Sequence, residues 1–291
     1  MAAEVLGPTM GVRALRAVPG SALGATVLLG AILLVVYRGV LPAWAADLWI
    51  DPNYSHGLLV PLGAIWLAYE RRADLLALTP RPASSGILIV LAALGLLLLG
   101  QLASELFTTR LSLLVLIPGL LSFILGYRYV RVLAWPLGFL LFMVPLPSLV
   151  FNAIALPLQF IASKLAVNVL QTVGIPALRE GNVILLANGT LEVAEACSGL
   201  RSLISLGAVA VLLAAVGLRR IPTRLVLIAS AVPIAVITNG ARVSGTGILA
   251  HAFGAGAAEG VFHTFSGWLV FVSALLLLGS EAAALRRVEG Q

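Results

Sequence analysis

The sequence holds one cysteine, Cys197, in the run Glu195-Ala196-Cys197-Ser198-Gly199-Leu200-Arg201-Ser202 at the head of an apolar stretch. A thiol in the first turn of a helix faces the positive end of the helix dipole and N–H groups without intrahelical acceptors, and both favour the thiolate. Arg201, one turn on, adds a fixed positive charge on nearly the same face. Two readings stand: a small packed side chain, or a nucleophile for which Glu195 and Arg201 are supporting groups. With one cysteine, neither an intrachain disulfide nor a cysteine-based metal site can form.

Two other groups could complete such chemistry. Thr238-Asn239-Gly240-Ala241-Arg242 closes another apolar run, so Arg242 is expected at the outer membrane level, where an arginine needs a partner or a purpose. It could hold a substrate carboxylate, donate to the oxyanion formed when a thiolate attacks a carbonyl, or snorkel to the headgroups. Glu259-Gly260-Val261-Phe262-His263 opens the last run, and an imidazole there could serve as base for a thiol and then as acid for a leaving amine. His251, in an Ala/Gly-rich outer segment, and His56, in Tyr54-Ser55-His56-Gly57, could take that role instead; the place of His263 at a helix start beside Glu259 ranks it first. Thiol, base and oxyanion donor are the parts of an acyl-transfer site.

These groups must be positioned inside a bilayer. The 291 residues are 60% hydrophobic and 10% charged, with mean hydropathy +1.08, too apolar for a soluble domain. The net charge of +6 comes with no basic stripe interleaved with aromatics, so nucleic acid is not the partner it implies. A span needs about 20 apolar residues, and about eight runs qualify: roughly 20–40, 55–69, 86–104, 110–126, 132–151, 197–216, 224–240 and 263–280. The first run is too long, and lacks the small-residue pattern, for a cleavable signal peptide.

Arginines set the orientation. Arg13 and Arg16 precede the first run, and Arg71, Arg72, Arg81, Arg128, Arg131, Arg219, Arg220, Arg224, Arg286 and Arg287 fall in every second connection. Asp47, Asp51, Glu105, Glu180, Glu192 and Glu195 occupy the others, which predicts both termini on the cytoplasmic side. The expected organisation is a cytoplasmic tail over 1–19, an all-α polytopic domain over 20–280, and a cytoplasmic tail over 281–291.

The longest outer connection, about 152–196, has structure of its own. Residues 152–173 space Gln159, Ser163, Lys164, Asn168 and Gln171 as an amphipathic helix lying in the interface would. Residues 182–187 and 190–194 read as a β-hairpin around Asn188-Gly189, a dipeptide suited to a type I′ turn. The hairpin accounts for the residues of the glycosylation sequon Asn188-Gly189-Thr190, so that match is taken as accidental.

The runs Glu195–Ser202 (EACSGLRS), Asn239–Val243 (NGARV) and Gly260–His263 (GVFH) resemble, in order, the three signature regions of the exosortase/archaeosortase family. Tyr54–Pro61 (YSHGLLVP) and Phe142–Pro147 (FMVPLP) add to a likeness that covers about residues 50–280. The resemblance implies a multi-pass enzyme of the bacterial inner membrane, a cysteine peptidase or transpeptidase with its site on the extracytoplasmic face. The family's conserved cysteine, arginine and histidine fall on Cys197, Arg242 and His263. Its partners would be exported proteins ending in a Pro-Glu-Pro-like motif, a transmembrane helix and an arginine cluster, in bacteria that make extracellular polysaccharide. A further soluble C-terminal domain, carried by some members, is not expected here.

No HExxH, P-loop or strand-linked GxGxxG occurs, so no metal, nucleotide or flavin cofactor is expected. A transporter or channel would place ionisable residues near the bilayer midplane, whereas these runs are almost purely apolar. A flippase or acyltransferase subunit of polysaccharide export would make Cys197 dispensable. Oligomeric state is not encoded in any of these features.

Overall fold

The computed structural model describes residues 30–51, 53–187, 189–193, 199–254 and 261–290, with residues 261–264 described by backbone alone. The helices are α1 (Gly30–Val36), α2 (Val40–Ile50), α3 (Val60–Glu70), α4 (Arg72–Ala77), α5 (Gly86–Leu102), α6 (Leu106–Ile124), α7 (Tyr127–Val132), α8 (Ala134–Phe139), α9 (Ser148–Thr172), α10 (Leu200–Gly217), α11 (Ile221–Phe253) and α12 (Val261–Glu289). Strands β1 (Ala177–Glu180), β2 (Val183–Leu186) and β3 (Gly189–Glu192) form an antiparallel meander between α9 and α10. The chain folds as two compact units, Met1–Leu58 with Ala68–Ala134, and Leu59–Leu67 with Trp135–Gln291.

In the first unit α5 and α6 form a close antiparallel pair, because glycines let their backbones approach. A Cβ on Gly86 would meet the backbone nitrogen of Phe123 at 2.5 Å, and one on Gly119 would meet that of Val90 at 3.0 Å. Tyr37, Val90, Ala93, Leu97 and Leu116 make the core of this unit, with the Tyr37 hydroxyl 2.9 Å from Ser112 Oγ. Glu105 caps α6, accepting hydrogen bonds from the N–H groups of Phe107 (2.9 Å) and Thr108 (2.5 Å). Arg110, buried one turn into α6, is ion-paired with Asp47 of α2.

The second unit carries the candidate site. Leu206, Ala210, Ala214, Leu218, Leu227, Ala231, Ala235, Ala274 and Leu278 pack α10, α11 and α12 together, alanine doing the work of close approach. α11 also packs along α9, where Gly240 faces Leu165 and Gly247 faces Leu170. At one end of the bundle Glu289 accepts from the N–H groups of Arg219 (2.7 Å) and Arg220 (2.8 Å) and from the Thr223 hydroxyl, so the last turn of α12 caps the start of α11.

The all-α polytopic class is as expected, with fewer full spans than the hydropathy runs suggest. Among the described residues five helices are long and apolar enough to cross a membrane: α6, α9, α10, α11 and α12, the last over Phe265–Glu289. The pair α1 and α2, bent by 60° around residues 37–39, makes a sixth if counted as one span. α3 has 11 residues and α5 has 17, short of the usual length.

Two boundaries move with them. The run 132–151 is not one helix: α8 tightens into a 3-10 turn at Leu140–Met143 and stops before Pro145 and Pro147, which cannot continue it. The segment 152–173, read as an interface helix, belongs instead to the 25-residue α9. Its polar residues have internal work that hydropathy does not reveal. The Ser163 hydroxyl donates to the carbonyl of Gly181 (3.0 Å), and Gln171 Nε2 donates to that of Ala177 (2.9 Å), which fixes the sheet to the helix. The expected hairpin is present as β2 and β3, but Leu186 pairs with Gly189, so Gly189 belongs to the strand rather than to the turn. Asn188 lies outside the described residues, and β1 was not foreseen.

Candidate functional site

α10 begins at Leu200, behind Gly199, whose φ of +79° and ψ of −1° place it in the left-handed region and out of the helix. Cys197 therefore precedes the cap by two residues, rather than occupying the first helical turn as the sequence suggested. Cys197 and Glu195 themselves lie outside the described residues. Arg201 stands in the first turn, half-buried, and the Leu203 N–H donates to the Gly199 carbonyl at 2.8 Å.

Gly199 is set against α11. A Cβ there would lie 2.9 Å from Cγ of Asn239 and 3.0 Å from its Nδ2, closer than real side chains approach. Asn239 is 3% exposed, so the cap rests on a side chain that the core holds in place. Only glycine fits this position, on two grounds: the backbone conformation and the contact.

α11 does not end near Arg242. It runs 33 residues to Phe253, because Val243, Gly247 and Ala250 are buried, the first in the core shared by α9 and the sheet. Hydroxyls knit this extension to its own backbone, Ser244 donating to Gly240 (2.7 Å) and Thr246 to Arg242 (3.0 Å). Arg242 thus projects from mid-helix, three residues and one turn from Asn239, on the same face.

Its guanidinium reaches α12. A Cβ on Gly267 would lie 3.3 Å from Nη2 and 3.4 Å from Cζ of Arg242, and Nε of that arginine is buried. Gly267 is four residues beyond His263, one turn along the same face of α12. The backbone of His263 is helical, while its side chain and Glu259 lie outside the described residues.

The alternative histidines are placed differently. His251 is nine residues beyond Arg242 on the same helix, which at about 100° and 1.5 Å per residue turns it to the opposite face and carries it about 13 Å along the axis. His56 lies in a 3-10 turn, Ser55–Leu58, of the first unit.

One face of α11 therefore touches both the cap that follows Cys197 and the turn that follows His263. The opposite end of the bundle is basic, with Arg219, Arg220, Arg224, Arg286 and Arg287 gathered around the Glu289 cap. Arg224 donates twice to the Leu218 carbonyl (2.7 and 2.9 Å) and lies over the Trp135 ring. From Arg220 to Arg242 the axis rises about 33 Å, close to the thickness of a hydrocarbon core. The two glycines that receive Asn239 and Arg242 were not singled out in the sequence. Gly199 carried a signal there, as a glycine beside a helix start, and Gly267, inside an apolar helix, carried none.

The model of the transmembrane exosortases matches residues 44–280 of the chain. No curated protein and no solved structure matches it.

Proposed function

Since the chain belongs to the transmembrane exosortase family, and is a multi-pass membrane protein of a cysteine transpeptidase and protease family that acts in protein sorting, we propose that Cys197, Arg242 and His263 form its catalytic group. The Cys197 thiolate attacks the carbonyl carbon of the scissile peptide, and Arg242 donates hydrogen bonds to the oxyanion. The C–N bond breaks as the His263 imidazolium gives its proton to the leaving amine, which leaves a thioester on Cys197. Water or an amine acceptor then attacks that thioester and regenerates the thiolate. Arg201 favours the thiolate, Asn239 supports Gly199, two residues after the nucleophile, and Glu195 is its polar neighbour in sequence.

The observation that supports this most is the double contact of one face of α11: Asn239 on Gly199 and Arg242 beside Gly267. It ties the segments holding the proposed nucleophile and base to the proposed oxyanion donor.

The substrates on this reading are exported proteins with a Pro-Glu-Pro-like motif, an apolar helix and terminal arginines, processed at the outer face of the bacterial inner membrane in connection with extracellular polysaccharide. The basic end of the bundle would then face the cytoplasm, in keeping with the positive-inside rule. The test is co-expression of the parental protein or Cys197→Ser with such a tail. The serine variant should insert normally and leave the tail uncut, and processing at the parental rate would rule out cysteine catalysis.

A further inference from the structure

β3 is the last strand of its sheet, and its two sides differ. Leu186 pairs with Gly189, and the Val193 N–H donates to the Asn182 carbonyl at 2.9 Å. In an antiparallel ladder, residues that exchange both bonds alternate with residues that exchange none. Gly189, Leu191 and Val193 are thus turned to β2, and Thr190 and Glu192 present their N–H and C=O groups to the other side. Among the described residues no strand pairs with that side, and Thr190 and Glu192 are exposed.

This edge is held firmly. Leu191 and Val193 pack into the core formed by α9, the sheet and Val243 of α11, the residue next to Arg242. Ser163 and Gln171 fix the other strands to α9. In sequence, Glu192 is five residues before Cys197.

We propose that the free edge of β3 binds the polypeptide to be cut, as an added strand held by backbone hydrogen bonds to Thr190 and Glu192. This rests on the reading of Cys197 as the nucleophile. An open edge is a template for an extended chain, and this one ends five residues before the proposed nucleophile in sequence. The occupant's chemistry fits. In a Pro-Glu-Pro segment the two residues without an N–H are two positions apart, so both turn away from β3 while the central residue turns its N–H and C=O toward it. Recognition through backbone also suits substrates that share little beyond a short motif.

The test uses the full-length protein in lipid vesicles with a synthetic tail of Pro-Glu-Pro, an apolar helix and terminal arginines. Replacing the amide at the motif's central residue by an ester deletes one N–H. It should raise KM on the order of fivefold with kcat unchanged. An ester at the second residue after the motif, whose N–H faces away, should have no effect. On the protein side Thr190→Pro and Glu192→Pro, which each remove one of the donors, should raise KM similarly. Parental KM for the central ester overturns the pairing, and does so on the unmodified protein, whether or not the proline variants insert. If Cys197→Ser is inactive in the same assay, only the pairing falls. If it cleaves at the parental rate, the underlying reading falls with it.

Discussion

Asn239 and Gly199 are packed so tightly that nothing larger than a hydrogen fits on the glycine, with Cγ of the asparagine 2.9 Å from where a Cβ would stand. Gly199→Ala adds that atom in a left-handed conformation that itself costs about 1–2 kcal/mol. The buried asparagine cannot retreat, so Gly199, two residues after Cys197, must shift. We expect tail processing to fall at least about tenfold while membrane insertion is retained, and Asn239→Ser in the same chain to restore part of it. Gly199→Ala working at the parental rate would show that the contact positions nothing.

Gly267 gives Arg242 its place beside α12. Alanine there meets a flexible guanidinium at 3.3 Å, which can give slightly, whereas valine cannot be accommodated without moving it. Gly267→Ala should therefore be mild. Gly267→Val should approach Arg242→Lys, where loss of the proposed two-pronged oxyanion donor should cost about 10² to 10³ in rate. Single-turnover processing rates of the three variants give the comparison, and a fully active Arg242→Lys would reduce Arg242 to a headgroup anchor.

The histidines separate by pH profile. With the proposed base removed, His263→Ala should be slow at neutral pH and speed up toward about pH 9 as solvent generates thiolate. His251→Ala, altered on the opposite face of α11, should keep the parental profile. The reverse pattern in rates measured from about pH 6 to pH 9 would transfer the role to His251.

Glu105 offers a test of stability away from the site. Burial pushes its carboxyl up, but hydrogen bonds from Thr108 and from the N–H groups of Thr108 and Phe107, with the charge of Arg110, hold it below the usual carboxylate range. A folded-state value below the unfolded one means that its contribution is complete at neutral pH. That contribution declines as the pH drops below about 4.5 and vanishes below the depressed value. Glu105→Ala should cost about 1 kcal/mol at pH 7, as lost helix caps do. Thermal midpoints in detergent should differ at pH 7 and converge in acid, and a gap that widened in acid would contradict the capping role.

Much of this architecture is legible in the sequence, where a residue type has one dominant physical consequence. The Asn188-Gly189 dipeptide between 182–187 and 190–194 reads as a hairpin, and β2 and β3 form one there, whereas Pro145 and Pro147, which end α8, sit inside a run that hydropathy reads as a single span. What hydropathy misreads is polar residues that have internal partners. Ser163 and Gln171 look like the wet face of an interface helix until Gly181 and Ala177 are seen to accept from them. Ser244, Gly245, Thr246 and Gly247 look like the end of a span, although small side chains are what allow α11 to continue against α9. The site follows the same division. Arg242 stands out by charge, while the glycines that receive Asn239 and Arg242 lack any side chain to mark the contact.

α11 is one continuous helix, with Pro233 inside it, that carries a cap at Arg220 and the guanidinium at Arg242, and this makes it a ruler. Its length between those arginines is fixed by helix geometry, so a thinner bilayer is met by tilt and a thicker one by local thinning of the lipid or by snorkelling of the arginines. On the reading proposed for Cys197, Arg242 and His263, the fit of α11 against its flanking helices depends partly on acyl-chain length, and lipid composition becomes a variable of the rate.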